Sequence, residues 1–149
     1  MIAILLATGC TTGDSVPRGQ VTGKVLGDDG EPVHGYRIVY TNEETGTAGT
    51  GAIGVDGSYE VVHRGVPGLP ANLTYIVTVV PAKPKSMTSE QYDAFMDASP
   101  REQARIERER QPEMSENVPE EFFNTRTSQL KFVVKEGDQT NDVILSNAE

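Results

Sequence analysis

The sequence predicts a mainly β fold, a small two-layer sandwich that carries a short, charged helical insertion before its last strands. Apolar and polar residues alternate with a period of two over most of the chain, which is typical of strands buried on one face. Gly and Pro, at 15 and 9 of 149 residues, supply turns between these runs. The ranges 20–85 and 118–147 together have the length of a seven-stranded sandwich of about 100 residues.

The first strands are predicted from this alternation. A strand at 20–26 precedes an Asp-Asp-Gly turn at 28–30, and a strand at 36–40 precedes a polar loop at 42–47. The range 48–53 contains two glycines among its six residues, which indicates a weak strand at a sheet edge.

The middle of the chain contains the sharpest turn signal, Asp56-Gly57. An Asp-Gly pair between strand patterns favours a tight hairpin turn with positive φ at both central residues. A strand follows from Tyr59, and a Pro/Gly-rich loop is predicted at 64–72. The range 73–80 is partly apolar on both faces, which indicates a central strand.

The periodicity changes at Pro81, and the range 86–117 is charged and predicted to be helical. Thr88 and Ser99 each stand three residues before Gln or Glu, the spacing of a capping box, and Pro100 occupies a first helical position. Pro112 is expected to end the second helix.

Strands resume after Pro119. The range 130–135 alternates again, 136–138 has the composition of a turn, and 142–145 supplies a closing strand.

Within the insertion, Tyr92, Phe95 and Met96 form an apolar stripe at helical spacing. The stripe is expected to pack back on the sandwich edge, because single apolar stripes normally bury within their own chain. Alternatively it docks into the groove of a partner protein. These three residues are therefore the candidate partner-binding residues.

The N-terminus carries a candidate lipidation site. An apolar run at 2–7, too short to span a bilayer, precedes two small residues and Cys10, the only cysteine. This pattern resembles a bacterial lipobox. The resemblance implies that residues 1–10 are the remnant of a signal peptide and that Cys10 is lipidated. The Gly/Ser/Thr-containing range 11–19 reads as a flexible tether, and Thr11 after the cysteine indicates the outer membrane, facing the periplasm or the cell surface.

A family resemblance covers much of the chain. Gly23-Lys24-Val25-Leu26, the run from Gly30 to Ile38, and Val55-Asp56-Gly57-Ser58-Tyr59 resemble the carboxypeptidase regulatory-like domain. That domain is a prealbumin-like (transthyretin-like) Greek-key sandwich of seven strands. The tail from Val118 to Gly137 resembles the end of short bacterial lipoproteins of this type. The resemblance implies a binding, spacing or assembly module without a catalytic signature.

Composition and motifs argue against several functions. A formal charge of −9 disfavours binding to a phosphate backbone. Ser58 lies outside the G-x-S-x-G pattern of a nucleophile elbow. His34 and His63 lack metal-ligand spacing, and the acidic turn at 28–31 lacks EF-hand spacing. We therefore expect no enzyme activity, cofactor, metal site or nucleic-acid partner.

These observations lead to a functional expectation. The chain is expected to be a non-enzymatic, lipid-anchored envelope protein that acts as an interaction or structural module. Its partners would be the membrane, through Cys10, and an envelope protein or glycan. The alternative is an accessory module that binds carbohydrate or another ligand at the cell surface. The absence of Trp and the inward positions of most Tyr residues weaken that alternative, since such sites usually need exposed aromatic rings.

Overall fold

The computed structural model describes residues 16–115 and 118–146. This part of the chain is mainly β, with eleven strands, two α-helices and one 3-10 helix. The strands are β1 (Arg18–Gly27), β2 (Tyr36–Thr41), β3 (Ala48–Ala52), β4 (Ser58–Glu60), β5 (Val62–His63), β6 (Val66–Pro67), β7 (Leu69–Pro70), β8 (Leu73–Pro81), β9 (Lys131–Val134), β10 (Gly137–Thr140) and β11 (Val143–Leu145). The helices are α1 (Ser89–Asp97) and α2 (Pro100–Arg110), with the 3-10 helix at Glu120–Phe123.

The strands form two sheets, of five and six strands. The first is built around the long strand β1. β4 and β7 pair antiparallel with one edge of β1, whereas β10 and β11 pair in parallel with the other. The second sheet has the order β6-β5-β3-β2-β8-β9 and is antiparallel throughout.

The buried faces of both sheets meet in one core. Alternation explains which side chains enter it, because every second residue of a strand points to the same face. The 3-10 helix closes the core with Phe122, which is buried, and with Phe123, whose ring stacks on Tyr36 at a centroid distance of 6.0 Å. The core side chains from the two sheets include Val21, Val25, Ile38, Tyr40, Tyr59, Leu69, Tyr75, Val77, Val79, Val134, Val143 and Leu145.

Most predicted strands are present. The central position predicted for the range 73–80 is confirmed, since β8 lies between β2 and β9. The edge position predicted for the range 48–53 is wrong, because β3 lies between β2 and β5. Its glycines serve packing: a Cβ on Gly49 would lie 2.4 Å from Cδ2 of Leu69. The bare backbone therefore gives room to a fully buried core leucine.

The Asp56-Gly57 turn differs from its prediction in two respects. Only Gly57 of this pair has a positive φ, of +81°. The turn closes when the Gly57 N–H donates to the Gly54 carbonyl at 2.9 Å, so Val55 and Asp56 are its central residues. A glycine in the left-handed region directly after such a turn accommodates the twist of the flanking strands. The chain then enters the other sheet, where β4 pairs with β1 instead of folding back on β3.

Three further differences concern polar or short segments. The turn predicted at 136–138 is mostly strand β10, which has no apolar alternation and pairs with the edge of β1. The predicted loop at 64–72 contains β6 and β7, and β1 begins at Arg18, inside the range predicted as a tether. Such segments owe their strand conformation to backbone pairing, which hydrophobic periodicity does not report.

The helical insertion begins and ends close to the predicted signals. Thr88 forms a full capping box with Gln91, and the Ser99 hydroxyl accepts from the Glu102 N–H. No helix in the described ranges is long and apolar enough to cross a membrane.

A closed ring of hydrogen bonds links the two sheets inside the core. The Tyr59 hydroxyl donates to the Asn141 carbonyl at 2.5 Å. The Tyr40 hydroxyl therefore donates to Tyr59, at 2.8 Å, and accepts from the Asn141 side-chain amide, also at 2.8 Å. Tyr40 belongs to β2 of one sheet and Tyr59 to β4 of the other, so the ring fixes the distance between them.

This ring predicts a loss of stability in alkali. Burial, and secondarily the neighbouring Tyr40, raises the pKa of Tyr59; burial also raises the pKa of Tyr40, against an opposing effect of its hydrogen bonds. The stabilisation that these neutral, hydrogen-bonded hydroxyls give the fold is complete below about 10, the pKa of tyrosine in the unfolded chain. Above it, unfolding becomes easier by up to about 1.4 kcal/mol per pH unit for each such tyrosine. Near-ultraviolet phenolate absorbance and circular dichroism, followed together, test this. Ionisation of every tyrosine with intact dichroism would contradict it.

Candidate functional site

The two helices form an arm that leaves the sheets through two stems. We call residues 86–111 the helical arm, 82–85 the outgoing stem and 112–115 the return stem. The Ala82 N–H donates to the Gly35 carbonyl at 3.0 Å, and the Lys85 N–H donates to the Arg110 carbonyl at 3.3 Å. Arg110 also donates through its guanidinium to the Lys85 carbonyl. These bonds hold the arm's two ends side by side.

Gly35 makes room for the return stem. Its φ is +80°, and a Cβ there would lie 2.2 Å from the Glu113 carbonyl oxygen. The return stem therefore crosses directly over the start of β2, which no residue with a side chain at this position permits.

The return stem is held by His34 and Ser115. The Ser115 hydroxyl accepts from the His34 backbone N–H at 2.9 Å and lies 3.0 Å from His34 Nδ1. A hydroxyl beside an imidazole is the arrangement of a catalytic nucleophile and its base. Such a pair also needs a third group that orients the imidazole. In the described ranges no carboxylate hydrogen-bonds to His34. The pairing, together with the Ser115 N–H bond to the His34 carbonyl at 3.0 Å, anchors the stem.

The two histidines have separate hydrogen-bond partners. His63 Nδ1 contacts the Ala48 carbonyl at 2.7 Å, whereas His34 contacts Ser115. Within residues 16–115 and 118–146, no group of three or more His, Cys, Asp or Glu side chains is arranged to hold a metal ion.

The candidate partner-binding residues lie on α1 and remain accessible. Tyr92 is 54% exposed, Met96 is 58% exposed and Phe95 is half-buried. Neither helix contains a buried residue. The expectation that the stripe packs back on the sandwich edge is therefore wrong. α1 packs against α2 instead, since the side-chain amide of Gln103 caps the Phe95 carbonyl at 2.9 Å.

A groove runs between the two helices. Its volume is about 670 Å³, and Met87, Tyr92 and Phe95 supply its apolar lining. Asp93 and Glu107 stand beside them with Arg110, which is already bound to the outgoing stem. The groove is shallow and open, and it joins two of the three candidate residues.

The outer surface of α1 is acidic. Glu90, Asp93 and Asp97 lie on this helix, which has no basic residue. In the described part of the chain the ion pairs lie within α2, where Arg105 contacts Glu102 and Glu109. The α1 carboxylates therefore lie along one side of Tyr92 and Met96, without ion-pair partners in this described part of the chain.

A second groove, at the base of the arm, was missed by sequence reasoning. Its volume is about 590 Å³, and it lies between the outer face of the second sheet and the two stems. Arg37 of β2, Lys83 and Lys85 of the outgoing stem, and Glu113 of the return stem line it. The strand alternation places Arg37 on the face opposite Tyr36 and Ile38, but the path of the stems has no sequence signal.

The predicted lipidation site, Cys10, lies outside the described residues, as does the predicted tether up to residue 15. Comparisons with protein-family models, with characterised proteins and with solved structures gave no match.

Proposed function

We propose that this chain is a non-enzymatic, lipid-anchored protein of a bacterial cell envelope, and that it presents the helical arm to a protein partner. The observation that carries the proposal is the exposure of Tyr92 and Met96 on a helix that buries none of its residues. Large apolar side chains grouped on a surface mark interaction sites more often than isolated ones do. Tyr, Phe and Met are also enriched in protein interfaces.

The arm's architecture supports this role. A nine-residue helix such as α1 is marginal in water without tertiary packing. Here it is stabilised by its capping box, its contact with α2 and the hydrogen-bonded stems. It gives little apolar area to the core, so its side chains are free to contact another molecule. A partner that covers Tyr92, Phe95 and Met96 would supply the missing packing.

The proposed anchor rests on the sequence around Cys10. The apolar run and small residues before it fit a lipobox, and residues 11–17 separate it from the first residue of β1. Each buried acyl methylene contributes about 0.8 kcal/mol, so several chains hold a protein of this size at a membrane. Palmitate labelling tests the anchor: the label should be lost in Cys10→Ala, and label that persists there would contradict it.

We also propose that the two sheets follow the seven-stranded Greek-key order of a transthyretin-like domain. Support comes from segments that share one edge of β1, since β4 and β7, and likewise β10 and β11, then count as one interrupted strand each. The two-residue strands β5 and β6 pair with each other in the connection between β4 and β7, and without them seven strands remain. Cross-strand nuclear Overhauser effects test this order. The parallel contact of Thr22 with Thr140 is the most informative pair.

The arm's role predicts a selective loss of binding. Tyr92→Ser with Met96→Ser removes two exposed apolar side chains without touching the core, so the melting temperature should change by only a few degrees. Val133→Ser with Ile144→Ser is the matched control, because those side chains are 50% and 58% exposed on the sheets. Quantitative mass spectrometry of proteins co-purified from detergent-solubilised envelopes measures the outcome. A partner enriched by the wild type and the control, but depleted at least about tenfold by the arm variant, is expected. Equal enrichment by all three would contradict the proposal.

A second candidate function is binding of carbohydrate at the arm. The exposed ring of Tyr92 favours it, because sugar faces stack on exposed aromatic rings. A glycan-array signal that disappears in Tyr92→Ala would support this function, and the absence of a signal in the wild type would remove it.

A further inference from the structure

We propose that the groove at the base of the arm binds a small oxyanion, a carboxylate or phosphate group carried by a molecule of about the size of a sugar. This site is separate from the Tyr92 surface and does not depend on the function proposed for it. The inference rests on the shape of the groove, on its charge and on the state of Arg37.

The groove has a small-residue floor and charged walls. Gly51 and Ala52 of β3 lie on the floor, and Arg37 stands directly opposite Ala52 in the strand register. The outgoing and return stems form the walls. The volume of about 590 Å³ falls in the range of ordinary small-molecule sites, roughly 300–1,000 Å³. On this face of β3 the short side chain of Ala52, opposite Arg37, leaves space that a ligand would fill.

The charge of the groove is opposite to that of the whole chain. The chain has a formal charge of −9, yet Arg37, Lys83 and Lys85 line this groove against a single carboxylate, Glu113. Within the described ranges none of these three cations makes an ion pair. Cations that converge in a concave surface raise the local concentration of anions. The net negative charge of the chain does not account for three cations that line one groove.

Arg37 has an unused donor. Its Nε is buried and has no hydrogen-bond partner among the described residues. A buried donor without a partner destabilises the fold, because it has lost its hydrogen bonds to water. The guanidinium fork matches a carboxylate or phosphate with two parallel hydrogen bonds. An oxyanion in the groove would pair with the terminal nitrogens of this guanidinium and bring the opposite charge to the two lysines.

The neighbours of Arg37 strengthen such an interaction. In the sheet register Arg37 lies between Ala52 of β3 and Val80 of β8, so apolar side chains flank it on both sides. Reduced hydration makes a charge-assisted hydrogen bond stronger than it is in open water. The lysines, exposed on the stem, then act as flexible point charges.

Isothermal titration calorimetry on the full chain tests the proposal with three probes of similar size: glucuronate, glucose 6-phosphate and glucose. We expect at least one of the two anions to bind and the neutral sugar not to bind. The stronger anion identifies the group as carboxylate or phosphate. Equal binding of glucose, or binding of none of the probes, would overturn the proposal.

Variants locate the site. Arg37→Gln should weaken anion binding about tenfold, and Lys83→Gln with Lys85→Gln should weaken it by a similar factor. Glu113→Gln should tighten binding by about twofold or more, because it removes the only carboxylate of the groove. Lys131→Gln with Lys135→Gln is the control of equal charge, outside the groove on or next to β9, and should change the affinity by less than about twofold.

Two outcomes would contradict the location. One is an anion affinity that the Arg37 and Lys83/Lys85 variants leave unchanged; the other is an equal loss in the control. If Arg37→Gln fails to fold by circular dichroism, the exposed lysine pair decides. Arg37→Gln should leave enrichment of the arm's partner unchanged, so failure of the anion site and failure of the proposed interaction function are distinguishable.

Discussion

Gly23→Ala should lower the free energy of unfolding by about 3 kcal/mol or more. This effect is large for a substitution that removes no side-chain contact. A Cβ on Gly23 would lie 2.1 Å from the Asn141 carbonyl oxygen and 2.6 Å from its carbon. That backbone has little room to move, because the Asn141 N–H donates to the Thr22 carbonyl at 2.8 Å and its carbonyl accepts from Tyr59. The alanine methyl group would therefore separate β1 from the junction of β10 and β11. Urea unfolding followed by circular dichroism measures the change.

Gly46→Ala is the control for this prediction. Gly46 has a φ of +71° and nothing within 4 Å of a built Cβ, so alanine there meets only backbone strain of about 1–2 kcal/mol. Gly23→Ala should cost clearly more. Losses of equal size would show that the close approach of Asn141 does not constrain the fold.

Tyr59→Phe should cost about 3 kcal/mol, because one missing oxygen leaves two buried groups unpaired. The Tyr40 hydroxyl loses its acceptor and the Asn141 carbonyl loses its donor, at roughly 1–3 kcal/mol each. Tyr75→Phe is the matched comparison, since it removes one hydrogen bond to the Pro70 carbonyl and should cost about 1 kcal/mol. Chemical denaturation measures both variants.

A double-mutant cycle sharpens this expectation. Tyr40→Phe with Tyr59→Phe should cost less than the two single changes summed, because both singles break the same Tyr40–Tyr59 bond. Additive losses would contradict a shared ring of hydrogen bonds across the two sheets.

The sequence predicts those parts of the fold in which local pattern and burial agree. β2 alternates buried and half-buried residues along its whole length, so period two locates it. Thr88 and Ser99 begin helices because their hydroxyls accept from backbone N–H groups that any helix leaves free. β10 has no such signal, since Gly-Asp-Gln-Thr becomes a strand only by pairing with β1.

The candidate sites show the same difference between what a local pattern predicts and what depends on tertiary structure. Spacing alone identifies Tyr92, Phe95 and Met96 as one helical stripe, but it cannot report whether a second surface covers them. Their exposure follows from the stems, which are fixed by backbone bonds such as Ala82 to Gly35. Those bonds involve no distinctive side chain. The same stems bring Lys83 near Arg37, so the groove at the base of the arm is a product of tertiary structure.

Site-specific photocross-linking in the native cells tests the central claim, that the helical arm is the partner-binding surface, most directly. A benzophenone amino acid is placed at Met96 on the arm and, as the control, at Ile144 on β11, since both positions are 58% exposed. The proposed role predicts one discrete cross-linked protein from position 96 and none from position 144. Cross-linking at position 144 with none at position 96, or no adduct from either position, would contradict it.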